Sequence, residues 1–267
     1  MPTLAISDVI SWLEQVAPLE LAEEWDNVGL LAGDHTGRVE RVMTCLTVTP
    51  TTAAEAIERR ADLVITHHPL PFRPLTRITT DATTGRLLWE LIGARVAIYC
   101  AHTAFDSART GINQQLSEQL DLCRISPLVP HAMSASGCEL GSGRCGVLDR
   151  PATLSTIAQT IKSTLAIAQI GLIGEDEMPV MRVAIACGSG GSFIAAAREN
   201  HCDCLVTGEA DFHACLDAEA CGIGLVLTGH FASERFAMDQ LAEAMAAQFA
   251  ELEVWASVRE CDPIRSV

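Results

Sequence analysis

Histidine and carboxylate recur together at one spacing in this chain. Gly229-His230-Phe231-Ala232-Ser233-Glu234 sets them four residues apart, just after the apolar run Ile223-Gly224-Leu225-Val226-Leu227. Ala101-His102-Thr103-Ala104-Phe105-Asp106 repeats the pattern after Arg95-Val96-Ala97-Ile98-Tyr99-Cys100, and the offset between copies is 128 for both imidazole and carboxylate. A lone His-x-x-x-Glu carries little information; the second copy gives it weight. Imidazole with carboxylate suits a borderline or hard divalent ion and requires no thiolate. A carboxylate can also bridge two ions, so a set of such residues suits a two-metal centre about 3.5–4 Å across.

A second imidazole source is His67-His68-Pro69, which closes the apolar run Ala61-Asp62-Leu63-Val64-Ile65-Thr66. Adjacent residues of an extended strand face opposite sides. Both histidines can serve one centre only if the chain turns there, and Pro69 makes a turn reasonable. His35, His131 and His201 read as hydrogen-bonded loop residues, and His213 is evenly balanced. Gly188-Ser189-Gly190-Gly191-Ser192 lies between a strand and a helix, where exposed N–H groups could hold an anion. It has no Walker lysine and is not Gly-x-Gly-x-x-Gly, so a tight turn is the competing reading. Glu24-Trp25-Asp26-Asn27-Val28-Gly29-Leu30-Leu31 is a turn feeding a strand, either a capped loop or a set of polar groups facing a cleft.

The elements that must carry these residues alternate. The pattern predicts a strand over 41–47, a helix over 50–60 opened by Thr49-Pro50, and a strand over 61–66. A helix over 84–93 and a strand leading to His102 follow, then a helix over 110–120. Residues 131–150 read as a Gly- and Ser-rich hairpin and 151–165 as a helix. The second half then repeats the first: Arg41-Val42 matches Arg182-Val183, and Ala61–Thr66 matches Cys202–Thr207, at a constant offset of 141. His67 and His68 thereby correspond to Gly208 and Glu209. The fall in offset to 128 places thirteen extra residues in the first copy, in the 69–83 loop. Alternation of this kind indicates an α/β protein with mostly parallel sheets, and sites in such sheets lie past the carboxyl ends of strands.

The chain has 267 residues, 49% hydrophobic, enough for one large domain or two modest ones. The formal net charge of −16 opposes nucleic-acid binding, which needs clustered Lys and Arg. No apolar run approaches the roughly 18 residues of a bilayer span, and residues 1–16 read as an amphipathic helix without the features of an export signal. Eleven cysteines, an odd number with no Cys-x-x-Cys, read as reduced core residues. A cytoplasmic protein without membrane or nucleic-acid partners is the expectation.

Taken together these stretches resemble the GTP cyclohydrolase 1 type 2 homologs, the Nif-three-like dinuclear metal proteins. The likeness covers nearly the whole chain. It rests on Glu24–Leu30, Ile65-Thr66-His67-His68-Pro69-Leu70, His102–Asp106 with Gly111-Ile112-Asn113, Cys187–Ser192, Thr207-Gly208-Glu209 and Gly229–Glu234. The resemblance implies two interlinked, internally related α/β lobes, over residues 1–128 and 129–267, with the C-terminal segment able to pack back on the first. It also implies a dinuclear site between the lobes and a ring-shaped homohexamer. Carried over by position, the ligands are His67, His68, Asp106, His230 and Glu234, with Glu234 as the bridge. His102 and Glu209 stand beside the metals as candidate acid/base groups, and Gly188, Ser189, Gly190 and Gly191 stay as a possible anion loop. Two divalent ions are expected, with Zn, Fe, Mn, Co and Ni undistinguished. The expected function is a metal-dependent hydrolase acting on a nucleotide or related heterocycle; the alternative is a non-catalytic metal-delivery protein.

Overall fold

The computed structural model describes residues 4–131 and 140–265, and the central part of the expected 131–150 hairpin lies outside them. It forms two compact units, one of Met1–Phe105 with Ala237–Cys261 and one of Asp106–Phe236 with Asp262–Val267.

In chain order the first unit opens with α1 (Ile6–Val16), β1 (Gly29–Ala32) and β2 (Arg41–Cys45). It continues with α2 (Pro50–Glu58), β3 (Leu63–Thr66), α3 (Thr83–Gly93), β4 (Ala97–Cys100) and the start of α4 (His102–Ser107). α2 begins as its sequence requires: the Thr49 hydroxyl accepts from Thr52 N–H at 3.2 Å, and Pro50 takes the first turn, where its missing N–H costs nothing. Strands β3 and β4 are four residues each, wholly buried and mostly apolar, as strands covered on both faces must be.

The second unit holds α5 (Ile112–Gln119), β5 (Cys123–Pro130), β6 (Gly141–Thr153), α6 (Leu154–Thr164), β7 (Gly171–Ile173) and β8 (Pro179–Ser189). It ends with α7 (Ile194–Glu199), β9 (Cys204–Glu209), α8 (Phe212–Cys221), β10 (Gly224–Leu227) and the first turns of α9 (His230–Gln248). Ala237–Cys261 belongs to the first unit, where β11 (Glu253–Ala256) pairs with β2. The two sheets run β1-β4-β3-β2-β11 and β5-β6-β8-β9-β10-β7. Each has a parallel core (β4-β3-β2-β11 and β8-β9-β10), with antiparallel strands added at its edges.

The expected α/β class with mostly parallel strands is what the chain adopts. The compact units divide between Phe105 and Asp106, and β5, hydrogen-bonded to β6, lies with it in the second. In the second sheet alternate residues serve opposite faces. Val183, Ile185 and Val206 join the cluster around Ile157 and Ile161, while Ala184, Ala186 and Leu205 join that around Ile194 and Ala197.

The internal repeat is visible in hydrogen bonds. Asp62 Oδ2 accepts from Glu40 N–H and Arg41 N–H at 2.8 and 2.9 Å. Asp203 Oδ2, its counterpart at an offset of 141, accepts from Met181 N–H and Arg182 N–H at 2.7 and 2.8 Å. The extra residues of the first copy lie between β3 and α3; in the second only Ala210-Asp211 join β9 to α8. Among the described residues, no helix is long and apolar enough to cross a membrane.

Glu55 of α2 fastens the returning C-terminal segment. Its buried carboxylate accepts from Ser257 Oγ at 2.6 Å and from Val258 and Arg259 N–H at 3.1 Å. Burial pushes this carboxyl up, but those donors together outweigh it and leave it below the ordinary 4.5. A depressed carboxylate contributes stability that is present above its unfolded value and lost as pH falls through its folded one. Glu55→Gln is therefore expected to cost about 1–3 kcal/mol at neutral pH and to flatten the acid limb of the stability curve. Thermal melts of both proteins from pH 7 to pH 3 check this; identical curves contradict it.

Candidate metal centre

The first unit supplies three imidazoles. β3 stops at Thr66, the chain leaves its extended path there, and the rings of His67 and His68 lie 5.1 Å apart between centroids. His102, the first residue of α4, completes the group at 5.1 Å from His67 and 5.6 Å from His68. One ligand atom from each of the three lies within 4.8 Å of the other two. Two nitrogens on one ion stand no more than about 4.2 Å apart, given metal–nitrogen bonds near 2.1 Å, so modest ring rotations suffice. His102, expected beside the metals, groups with His67 and His68.

Something fixes the far side of these rings. His102 Nδ1 is 2.7 Å from Asp26 Oδ1, and His68 Nδ1 is 2.7 Å from Thr47 Oγ1. With the proton placed on Nδ1, the lone pair is on Nε2, the arrangement by which metal-binding histidines are oriented. Asp26 is tightly held: its Oδ2 accepts from both the backbone N–H and the hydroxyl of Thr103. Burial raises the Asp26 carboxyl, but the hydrogen bonds from His102 and Thr103 and the charge of His102 bring it down to about 2. His102 adopts φ +22°, a conformation that side-chain-bearing residues rarely take, and such strain gathers at functional sites.

The second unit carries its own group at its strand ends. β9 ends at Glu209 and α9 begins at His230, and Glu209 Oε1 lies 2.9 Å from His230 Nδ1. On the other side of the ring, His230 Nε2 is 3.1 Å from Glu234 Oε2, one turn along α9. The Glu234 hydrogen bond holds His230 up to about 9; burial opposes this and Glu209 adds to it. A cation at Nε2 would replace the proton there. Glu234 is 3% exposed, and Gly188, at φ +69°, makes room for it, since a Cβ there would run into Glu234 Oε1. Asp106 belongs to the same neighbourhood. Desolvation pushes the Cys187 thiol well up, and the charges of Glu234 and Asp106 both add to it. Asn113 secures this corner, donating to the Asp106 carbonyl at 3.0 Å and accepting from Cys187 N–H at 2.8 Å.

The imidazole and carboxylate chemistry of this donor set fits divalent ions of the borderline or hard kind. Glu209, expected as a candidate acid/base group, stands as the partner that orients His230. The glycine loop has little to offer an anion through two of its N–H groups: Gly188 donates to Ser233 Oγ, and Gly190 to Thr207 Oγ1 and the Glu209 carbonyl. The tight-turn reading accounts for that geometry. His213 is exposed on α8. Two participants, Asp26 and Thr47, were not anticipated as partners of histidines. The turn around Asp26 had been read as cap or cleft, but its bond to His102 spans 76 residues, which no spacing rule signals.

A family model described as Duf34/NIF3 (NGG1p interacting factor 3) matches residues 4–263. The chain is 32% identical over 232 residues to the GTP cyclohydrolase 1 type 2 homolog of Clostridium acetobutylicum, covering 87% of this chain and 86% of that one. Among solved structures, a Bacillus cereus protein related to NIF3 superposes with TM-score 0.91 at 25% identity, over the full length of both chains. Staphylococcus aureus hypothetical protein SA1388 gives 0.90 at 28%, again over both full lengths.

Loss of the partners that orient histidines typically costs 10–100-fold in metal affinity. Asp26→Asn and Glu209→Gln are each expected to weaken divalent-ion binding by about that factor while circular dichroism stays native. Competition against a chromophoric chelator measures it, and unchanged affinity in both variants contradicts the arrangement.

Proposed function

The chain belongs to the Duf34/NIF3 family, and on that premise we propose a dinuclear divalent-metal protein that hydrolyses a nucleotide or related heterocycle. The supporting observation is that His68, His102 and His230 each have Nδ1 held by a separate partner, Thr47, Asp26 and Glu209. A merely structural histidine needs hydrogen bonds; it does not need two imidazole neighbours, as in the first unit, or a carboxylate on each ring nitrogen, as at His230 in the second.

His67, His68, Asp106, His230 and Glu234 would hold the ions, with Glu234 as the bridge. Bound divalent ions there would supply Lewis acidity and water activation near neutral pH. The rest falls to the chain. Glu234, buried beside His230, sets the negative charge of the site, and Glu209 and Asp26 keep the rings from turning. His102, whose Nδ1 faces an ionised carboxylate, is the proton-transfer candidate, since an imidazole can give or take a proton at neutral pH. The curated relatives bear the name GTP cyclohydrolase 1 type 2 homolog, and GTP is accordingly the first substrate to test. A ring-shaped homohexamer, at six times 28.6 kDa by light scattering, belongs to the same reading.

Protein purified without chelator is expected to carry close to two divalent ions per chain and to consume the guanine chromophore of GTP or a related compound. Glu234→Gln should lower both metal content and turnover, the latter by about a hundredfold or more, as for removal of one electrostatic stabiliser. Turnover that survives Glu234→Gln contradicts the hydrolase reading. Exchangeable metal with no turnover across a nucleotide panel favours metal delivery in its place.

A further inference from the structure

Trp25 and Phe72 are large apolar side chains left 61% and 50% exposed. Single exposed aromatics are ordinary; these two are neighbours, with ring centroids 6.0 Å apart and planes inclined at 42°. Both also lie nearly perpendicular to the His102 ring, with centroids 6.0 Å away for Trp25 and 6.2 Å for Phe72. Two half-exposed aromatic rings therefore adjoin the imidazole that groups with His67 and His68.

The chain holds them there by bonds to their sequence neighbours. Asp26, next to Trp25, is tied to His102 and to Thr103, and Glu23 N–H donates to Thr103 Oγ1 at 3.0 Å. Asn27 Nδ2 donates to the carbonyl of Pro71, next to Phe72, at 2.7 Å, joining the two aromatic-bearing loops directly. Fixing two loops costs backbone entropy of about 1–2 kcal/mol per residue, and burial of Trp25 or Phe72 returns little of it because both remain half or more in water. That investment makes sense if the rings await a partner.

We propose that Trp25 and Phe72 form a stacking platform for a planar heteroaromatic ring, delivering that ring to the His67, His68 and His102 group. A purine or pterin-like base suits both kinds of neighbour. Its π face meets the aromatic rings, and its ring nitrogens and carbonyls face the imidazoles. The identity of the ring rests on the hydrolase reading above; the platform itself does not.

The test is calorimetric titration of metal-loaded, full-length protein with guanosine and with GTP, and with inorganic triphosphate as the probe lacking a base. Guanosine and GTP should bind, and Trp25→Ala and Phe72→Ala should each weaken both by about 5- to 150-fold, the range for loss of one base-stacking ring. Trp25→Phe should retain most of the affinity, and metal content should be unchanged in all three. Triphosphate binding should not respond to any of them. Guanosine that fails to bind the wild type, or binds the alanine variants equally well, overturns the proposal. So does a change of oligomer mass in the alanine variants, which would make these rings a contact between copies of the chain. Failure of the hydrolase reading looks different: ring-dependent binding intact, with no turnover.

Discussion

The far nitrogen of each histidine is where the arrangement is decided. A neutral imidazole offers a cation one lone pair, and the ring turns freely unless its other nitrogen is held. Asp26, Thr47 and Glu209 do the holding, and each is fixed by something further out. Asp26 is clasped by Thr103 at the start of α4. The N–H of Thr47 donates to Glu260 Oε1 at 2.7 Å, so the C-terminal segment reaches His68 through a single residue. That segment is in turn anchored by buried Glu55. The Glu209 carbonyl accepts from Gly190 N–H at 3.2 Å, linking His230 to the glycine turn. The elements remote from the histidines matter because they end in these contacts.

Duplication accounts for the placement of the candidate ligands, and sterics account for their inequality. Asp62 and Asp203 bridge equivalent strands in the same way, so both copies end their strands at equivalent points. Position 67 carries a buried histidine, yet its equivalent is Gly208. A Cβ at Gly208 would come within 2.6 Å of Ser233 Oγ and 2.9 Å of the His230 backbone. The second copy has room for α9 to begin there because it gave up a side chain, and it recovers an imidazole from α9 itself.

Much of this was legible in the sequence because it depends on local rules. Buried aliphatic runs, the Thr49-Pro50 helix start and the 141 offset identify the strands, α2 and the repeat without reference to distant residues. The histidines and carboxylates could be singled out since they fall directly after those runs. The pairing of β5 with β6 across the Gly- and Ser-rich stretch joins residues whose exact register no local pattern gives. Asp26, Thr47 and the Trp25–Phe72 pair were not legible as parts of the site. Their partners are 76, 21 and 47 residues away, and no periodicity links such positions. Glu209 was legible as a carboxylate past a strand end, but its bond to His230, 21 residues on, was not.

The central claim is that histidines locked through Nδ1 present Nε2 to divalent ions. An anomalous difference map, recorded at the absorption edge of the bound metal from crystals grown without chelator, tests it most directly. The account predicts two peaks about 3.5–4 Å apart, with metal–nitrogen bonds of about 2.0–2.1 Å to Nε2 of His68 and of His230. Peaks at cysteine sulfurs or at imidazole Nδ1, or no peak beside these side chains, would contradict it.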